Sequence, residues 1–138
     1  MESKTINSGI AALDEALKGL RLGDNVVLQV DNLKDYSYFV EPFAGQAIHD
    51  SGNCVYLRFA PHPPIIESHQ GLIIKEVDPR GGFDFFSAEV HRVIEEWAKK
   101  KFFIFDNLSA LVEEWATDEL LANFFQVTCP FLDRKSVV

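Results

Sequence analysis

Four short apolar runs punctuate this chain; between the first and second and between the third and fourth the apolar residues recur at helical spacing, while "PHPP" after the second forbids regular structure before the third, and that alternation most narrows the folds open to it. The runs are "GDNVVLQV", "NCVYLRFA", "LIIKEVD" and "KFFIFDNLSAL". The first is β-branched without a clean polar alternation, the pattern of a strand covered on both faces, and it is expected to be the central strand. Buried strands alternating with helical stretches predict an α/β fold, a mainly parallel sheet flanked by helices, because parallel neighbours need crossover connections.

The intervening helices read with different clarity. In "NSGIAALDEALKGL", Ile10, Leu13 and Leu17 lie three or four apart behind Asn7 or Ser8 as cap, and Gly19 closes a short amphipathic helix. From Tyr36 the positions Phe39, Val40, Phe43, Ala44, Ala47 and Ile48 keep helical spacing as far as Ser51 and Gly52. Pro42 interrupts that run. Proline suits a first turn and not an interior, so the expected helix starts near Glu41 and leaves Asp31 to Val40 as a loop. After Gly81 and Gly82, Phe83, Phe86, Val90, Ile94 and Trp97 line one side of the clearest helix, with Glu89, Arg92, Glu95, Glu96 and Lys99 facing water. Thr117 is expected to cap a last helix carrying Leu120, Leu121, Phe124 and Phe125. The final "DRKSVV" opens another buried strand and stops, so residues 1–138 are expected to be a single domain at the N-terminal end of a longer chain.

Composition bounds the function. At 138 residues, 47% hydrophobic and 25% charged, the chain has the make-up of one globular domain. No apolar run approaches the roughly 20 residues that a membrane helix needs, and the N-terminus is polar, so no membrane partner and a cytoplasmic location are expected. Thirteen basic against 21 acidic residues, net −8, would repel a polyanion, which excludes nucleic acid as a partner. The one basic run, Lys99 to Lys101, suits the end of a helix. Cys54 and Cys129 form no CxxC pair, and His49, His62, His69 and His91 show no HxxxH spacing; no metal and no cofactor are expected.

The stretch "SGIAALDEALKGLRLGDNVVLQV" resembles the opening of RecA-fold ATPases of the KaiC and RadA type, through Ser8, Gly9, Ile10, Leu13, Asp14, Gly19, Leu20 and Gly23. "FFIFDNLSAL" is similar to the Walker B strand of that family, whose aspartate would be Asp106, followed by Ser109. The resemblance implies a RecA-like, P-loop NTPase-like fold, here truncated. Its phosphate loop, GxxxxGK[ST], uses glycines to turn backbone N–H groups onto the phosphates, a lysine on their outer oxygens and a hydroxyl near Mg²⁺. In this chain the loop falls on "VDNLKDYS". Val30 and Asp35 stand at the glycine positions, Tyr36 replaces the lysine, and Ser37 alone fits. Side chains at left-handed glycine positions cost about 1 kcal/mol or more. Asp31 and Asp35 would also set carboxylates beside a triphosphate, and Lys34 comes two places early.

The family places a water-orienting glutamate just after the second strand, where this chain has Ala60 and Pro61; neither can act as a general base. More narrowly, "GLRLGDNVVLQVDNLKDY", "VYLRFAPHPP" and "IFDNLSALVEEWATDELLANFFQVTCPFL" are similar to a degenerate KaiC-like domain at the N-terminus of some bacterial proteins resembling phosphoenolpyruvate synthase or pyruvate phosphate dikinase. The resemblance implies a non-catalytic regulatory or assembly domain with no catalytic residue, its partners being protein or downstream domains. An alternative reading uses Arg58, His62, Asp106 and Ser109, near the C-terminal edge of the sheet, to bind a nucleotide or small phosphometabolite. A third is an interaction module that dimerises through an open edge of the first strand.

Overall fold

The computed structural model describes residues 5–21, 26–60, 62–66, 70–97, 102–115, 118–132 and 136–137. In chain order the elements are β1 (Thr5–Ile6), α1 (Ala11–Leu17), β2 (Leu20–Arg21), α2 (Leu33–Ser51), β3 (Cys54–Arg58), β4 (Leu72–Glu76), α3 (Phe83–Glu96), β5 (Phe102–Asp106), α4 (Leu108–Trp115), α5 (Asp118–Thr128) and β6 (Ser136–Val137). The main sheet is parallel throughout, in the order β4-β3-β5-β6. β1 and β2 pair antiparallel as a separate small unit around α1. The molecule is an α/β fold with helices on both faces of the sheet.

Strand alternation sorts the core into two layers. Val55, Leu57, Phe103 and Phe105 face α3, α4 and α5, where Phe86, Val90, Val93, Ile94, Leu111, Trp115 and Phe124 meet them. Aromatic rings dominate that layer: Phe86 lies 5.0 Å from Phe59, 5.3 Å from Trp115 and 5.4 Å from Phe124 between centroids, with tilted or edge-on geometry. Cys54, Tyr56, Phe102 and Ile104 face the other way, onto α2 through Tyr36, Val40, Phe43, Ala44 and Ala47. The paired alanines allow close approach of α2 to the strands, and Phe43 meets Phe102 edge-on at 5.9 Å.

Two expectations about the extent of a strand and a helix are overturned. Residues 26–30 carry no ladder pairing among the described residues and are not a strand. Val26, Leu28 and Val30 nevertheless pack against the α2 layer while Val27 is exposed. The apolar pattern recorded burial, whereas strand identity requires a hydrogen-bonded neighbour. The dimer edge expected on that strand therefore does not exist in that form; β4 and β6 are the edges of the sheet.

The second correction concerns α2, which starts at Leu33 and runs through Pro42 to Ser51. The expected loop from Asp31 to Val40 is mostly helix. An interior proline costs about 3 kcal/mol. Against that, Tyr36 and Val40 lie in the first two turns and are buried in the core, each contributing about 1.5–3 kcal/mol. Asn32 also caps the start, its Oδ1 accepting from the Lys34 amide at 2.9 Å. Burial and capping together exceed the proline penalty. At Pro42 the helix meets Gly9, where φ is +89° and a Cβ would lie 2.1 Å from the Pro42 carbonyl oxygen, so only glycine lets the N-terminal unit sit this close.

β3, β4, β5, α3 and α5 lie where the apolar spacing places them, and β6 (Ser136–Val137) forms as a parallel neighbour of β5. α1 starts after Ile10 without a side-chain cap, so neither Asn7 nor Ser8 caps it; Ser8 Oγ instead accepts from the Ile10 amide, and no residue of α1 is buried. α4 follows β5 almost directly, a helix that the apolar spacing does not announce. Thr117, Lys99 to Lys101, Gly23, Pro61 and His69 lie outside the described residues.

Candidate functional site

The first backbone N–H groups of α2 are engaged by the chain itself. Asn32 engages two of the first amides: its side chain takes Lys34 N, and its carbonyl takes Asp35 N at 2.9 Å. The Ser37 hydroxyl turns back to donate to the Lys34 carbonyl at 2.6 Å. Val30 packs half-buried against the α2 layer. Tyr36 is buried in the same layer, and burial, with the Asp106 carboxylate adding to it, pushes its hydroxyl well above the usual phenol range. Asp35 stays exposed in the first turn, where a carboxylate complements the helix dipole.

At the C-terminal edge of the sheet the strand register pairs Arg58 with Asp106. Residues paired on adjacent parallel strands point to one face, and here both meet the segment after β3. Asp106 is fully buried and is engaged from two sides: the Tyr56 hydroxyl donates to Oδ2, and His62 Nε2 lies 3.0 Å from Oδ1. The other His62 nitrogen, Nδ1, lies 2.7 Å from the Pro63 carbonyl. Both ring nitrogens thus face oxygen atoms. The Tyr56 hydroxyl is shifted upward by burial first, and then by its hydrogen bond to Asp106 and the charge of that carboxylate.

Arg58 points along the same edge. One terminal nitrogen donates to the His62 carbonyl, the other to Glu76 Oε1 at 2.9 Å, and Nε is buried with no partner among the described residues. Its side chain is 10% exposed while that of Glu76 is 75% exposed, so the guanidinium is fixed and its carboxylate partner is not. Ser109 stands apart, exposed in the first turn of α4. The turn into α4 is held instead by Asn107, whose Oδ1 accepts from the Ala110 amide at 3.0 Å. Of the four residues read from sequence at this edge, three come together and the fourth does not join them. Ala60, half-buried, offers no titratable group.

Tyr56 is the member that the sequence reading passed over. Its signal was present: it precedes Arg58 by two on a strand, so it shares that residue's face and lies one turn of the pleat inside the sheet. Glu76 joins through the register, as the partner of Arg58 on β4.

Beside this network a cleft of about 540 Å³ opens between the ends of β3 and β4 and the flank of α4. Phe59, Val77 and Pro79 supply apolar lining; Arg58 and Arg80 lie on one side, and Glu113 and Glu114 on α4 on the other. Arg80 is committed to Asp78 by a two-pronged contact of 2.7 and 3.0 Å, which holds the Asp78 carboxyl below its usual range. Among the described residues no group of three or more His, Cys, Asp or Glu side chains is arranged to hold a metal ion. No helix among them is long and apolar enough to cross a membrane. No model of a known protein family matches this chain, and no curated protein matches it either.

Proposed function

We propose that this chain is a non-catalytic domain of the RecA and KaiC kind that regulates or assembles a phosphoenolpyruvate synthase-like protein, without hydrolysing ATP. The observation that carries the reading is the start of α2. A phosphate cradle needs free, converging N–H groups and a cation. Here Asn32 occupies two amides, Tyr36 is sunk in the core at the lysine position, and Ser37 has given its hydroxyl to the helix backbone. Asp106, the residue matching a metal-binding aspartate, is buried and held by Tyr56 and His62. Its partners on this reading are downstream domains of the same protein or other protein chains. Isothermal titration with ATP and Mg²⁺ tests it: no heat of binding is expected up to about 1 mM, an affinity of about −4 kcal/mol. A saturable micromolar isotherm would remove the proposal.

A further inference from the structure

The cleft at the C-terminal edge of the sheet has a charge pattern of its own, separate from the start of α2. Its volume of about 540 Å³ is in the range of small-molecule sites. Its apolar floor, Phe59, Val77 and Pro79, is held by buried residues and so is present before any ligand arrives. What differs across the cleft is how far each charge is already committed.

On the sheet side, Arg80 lends Nε and one terminal nitrogen to Asp78 in an exposed pair, and Arg58 is buried and held only in part. Its Nε has no acceptor, and one of its two terminal nitrogens depends on Glu76, a side chain three-quarters exposed. An ion pair with an exposed carboxylate is worth little. An incoming carboxylate can therefore take the place of Glu76 on that terminal nitrogen with small loss, while the buried Nε lies out of its reach. On the α4 side, Glu113 forms no hydrogen bond or ion pair among the described residues, and Glu114 meets only the long-range field of Arg80. Those two carboxylates would repel a phosphate or a dicarboxylate, and they would attract an ammonium group. The two walls thus ask for opposite charges on one molecule.

We infer that the cleft bounded by Arg58, Phe59, Val77, Pro79, Glu113 and Glu114 binds a small zwitterion with an apolar body, of the amino-acid class. The ligand carboxylate replaces Glu76 on Arg58, the ammonium faces Glu113 and Glu114, and the apolar part lies on Phe59, Val77 and Pro79. This assignment is independent of the reading of α2: ATP binding and cleft binding are separate measurements, and either can fail alone.

The test is an amide NMR titration of the chain with four probes: L-phenylalanine, 3-phenylpropanoate, phenethylamine and inorganic phosphate. L-Phenylalanine should shift the amides of Phe59, Val77 and Ala110 saturably. Each single-charge probe should bind at least about tenfold more weakly, a difference of about 1.4 kcal/mol, and phosphate should leave those amides unmoved. Arg58 also holds the His62 carbonyl, so its replacement could loosen the fold. The decisive variant is therefore E113Q/E114Q on the exposed flank of α4, which should weaken L-phenylalanine about tenfold with the spectrum otherwise intact. The proposal is overturned if no cleft amide moves at about 10 mM L-phenylalanine, if either single-charge probe equals it, if phosphate shifts the same amides, or if E113Q/E114Q binds like the parent.

Discussion

Tyr56→Phe removes one oxygen atom from the interior and leaves the ring in place, so its cost isolates the hydrogen bonding around Asp106. Tyr56 is fully buried, and its hydroxyl both donates to Asp106 and lies 3.4 Å from the Ile65 amide that donates to it. A hydrogen bond to a charged group contributes about 1.5–3 kcal/mol, and among the described residues the buried carboxylate left behind retains His62 alone as a side-chain partner. The expected loss is about 2–3 kcal/mol. With a urea m-value of about 1–3 kcal/mol per molar, the midpoint should fall by about 0.7–3 M with the slope unchanged. The pH dependence gives a second readout with a definite sign. The folded-state phenol is raised above its unfolded value, so below about pH 10 both states are protonated and the group gives no slope. Above that, the unfolded chain loses the proton while the folded one keeps it, so stability falls as pH rises, by up to about 1.4 kcal/mol per unit for each such group. The parent carries two raised tyrosines, Tyr36 and Tyr56, and the variant should lose one of these contributions. A destabilisation below about 0.5 kcal/mol, the range of an ordinary surface change, would refute the reasoning about Asp106.

Two further outcomes follow from the packing. Phe86 is fully buried at the centre of the aromatic layer, so Phe86→Ala should cost about 3–5 kcal/mol in chemical denaturation; a loss under about 1 kcal/mol would mean that the layer collapses onto the void. Cys54 is buried, and desolvation pushes its thiol up to about 12, whereas Cys129 is exposed. At neutral pH a thiol reagent should label Cys129 alone until denaturant is added, and rapid labelling of Cys54 in the folded protein would contradict its position under α2.

Much of the architecture was legible because burial and periodicity coincide in it. Phe86, Val90 and Ile94 recur at helical spacing and do line α3, and the apolar cores of β3, β4 and β5 are strands. The failures occurred where one local rule competed with a tertiary effect. Pro42 argued for a late helix start, but the burial of Tyr36 and Val40 and the Asn32 cap outweighed it. Residues 26–30 have the composition of a strand and the alternating burial of one, yet pairing depends on which segment lies alongside, and composition does not encode that. At the candidate site, Arg58, His62 and Asp106 could be placed together from strand ends alone. The commitments of their hydrogen bonds could not, because Tyr56 and Glu76 enter through side-chain direction and register.

The segment from Phe59 to Ile66 joins two strands, but its described part is anchored like an interior element. Phe59 N donates to the Asp106 carbonyl, His62 reaches the Asp106 carboxylate, Arg58 takes the His62 carbonyl, and the Ile65 amide points to Tyr56. Opening it would uncover a buried carboxylate and strand three polar partners at once. Its local unfolding free energy therefore approaches that of the sheet rather than that of an ordinary surface connection, and this corner of the molecule melts with the core or not at all.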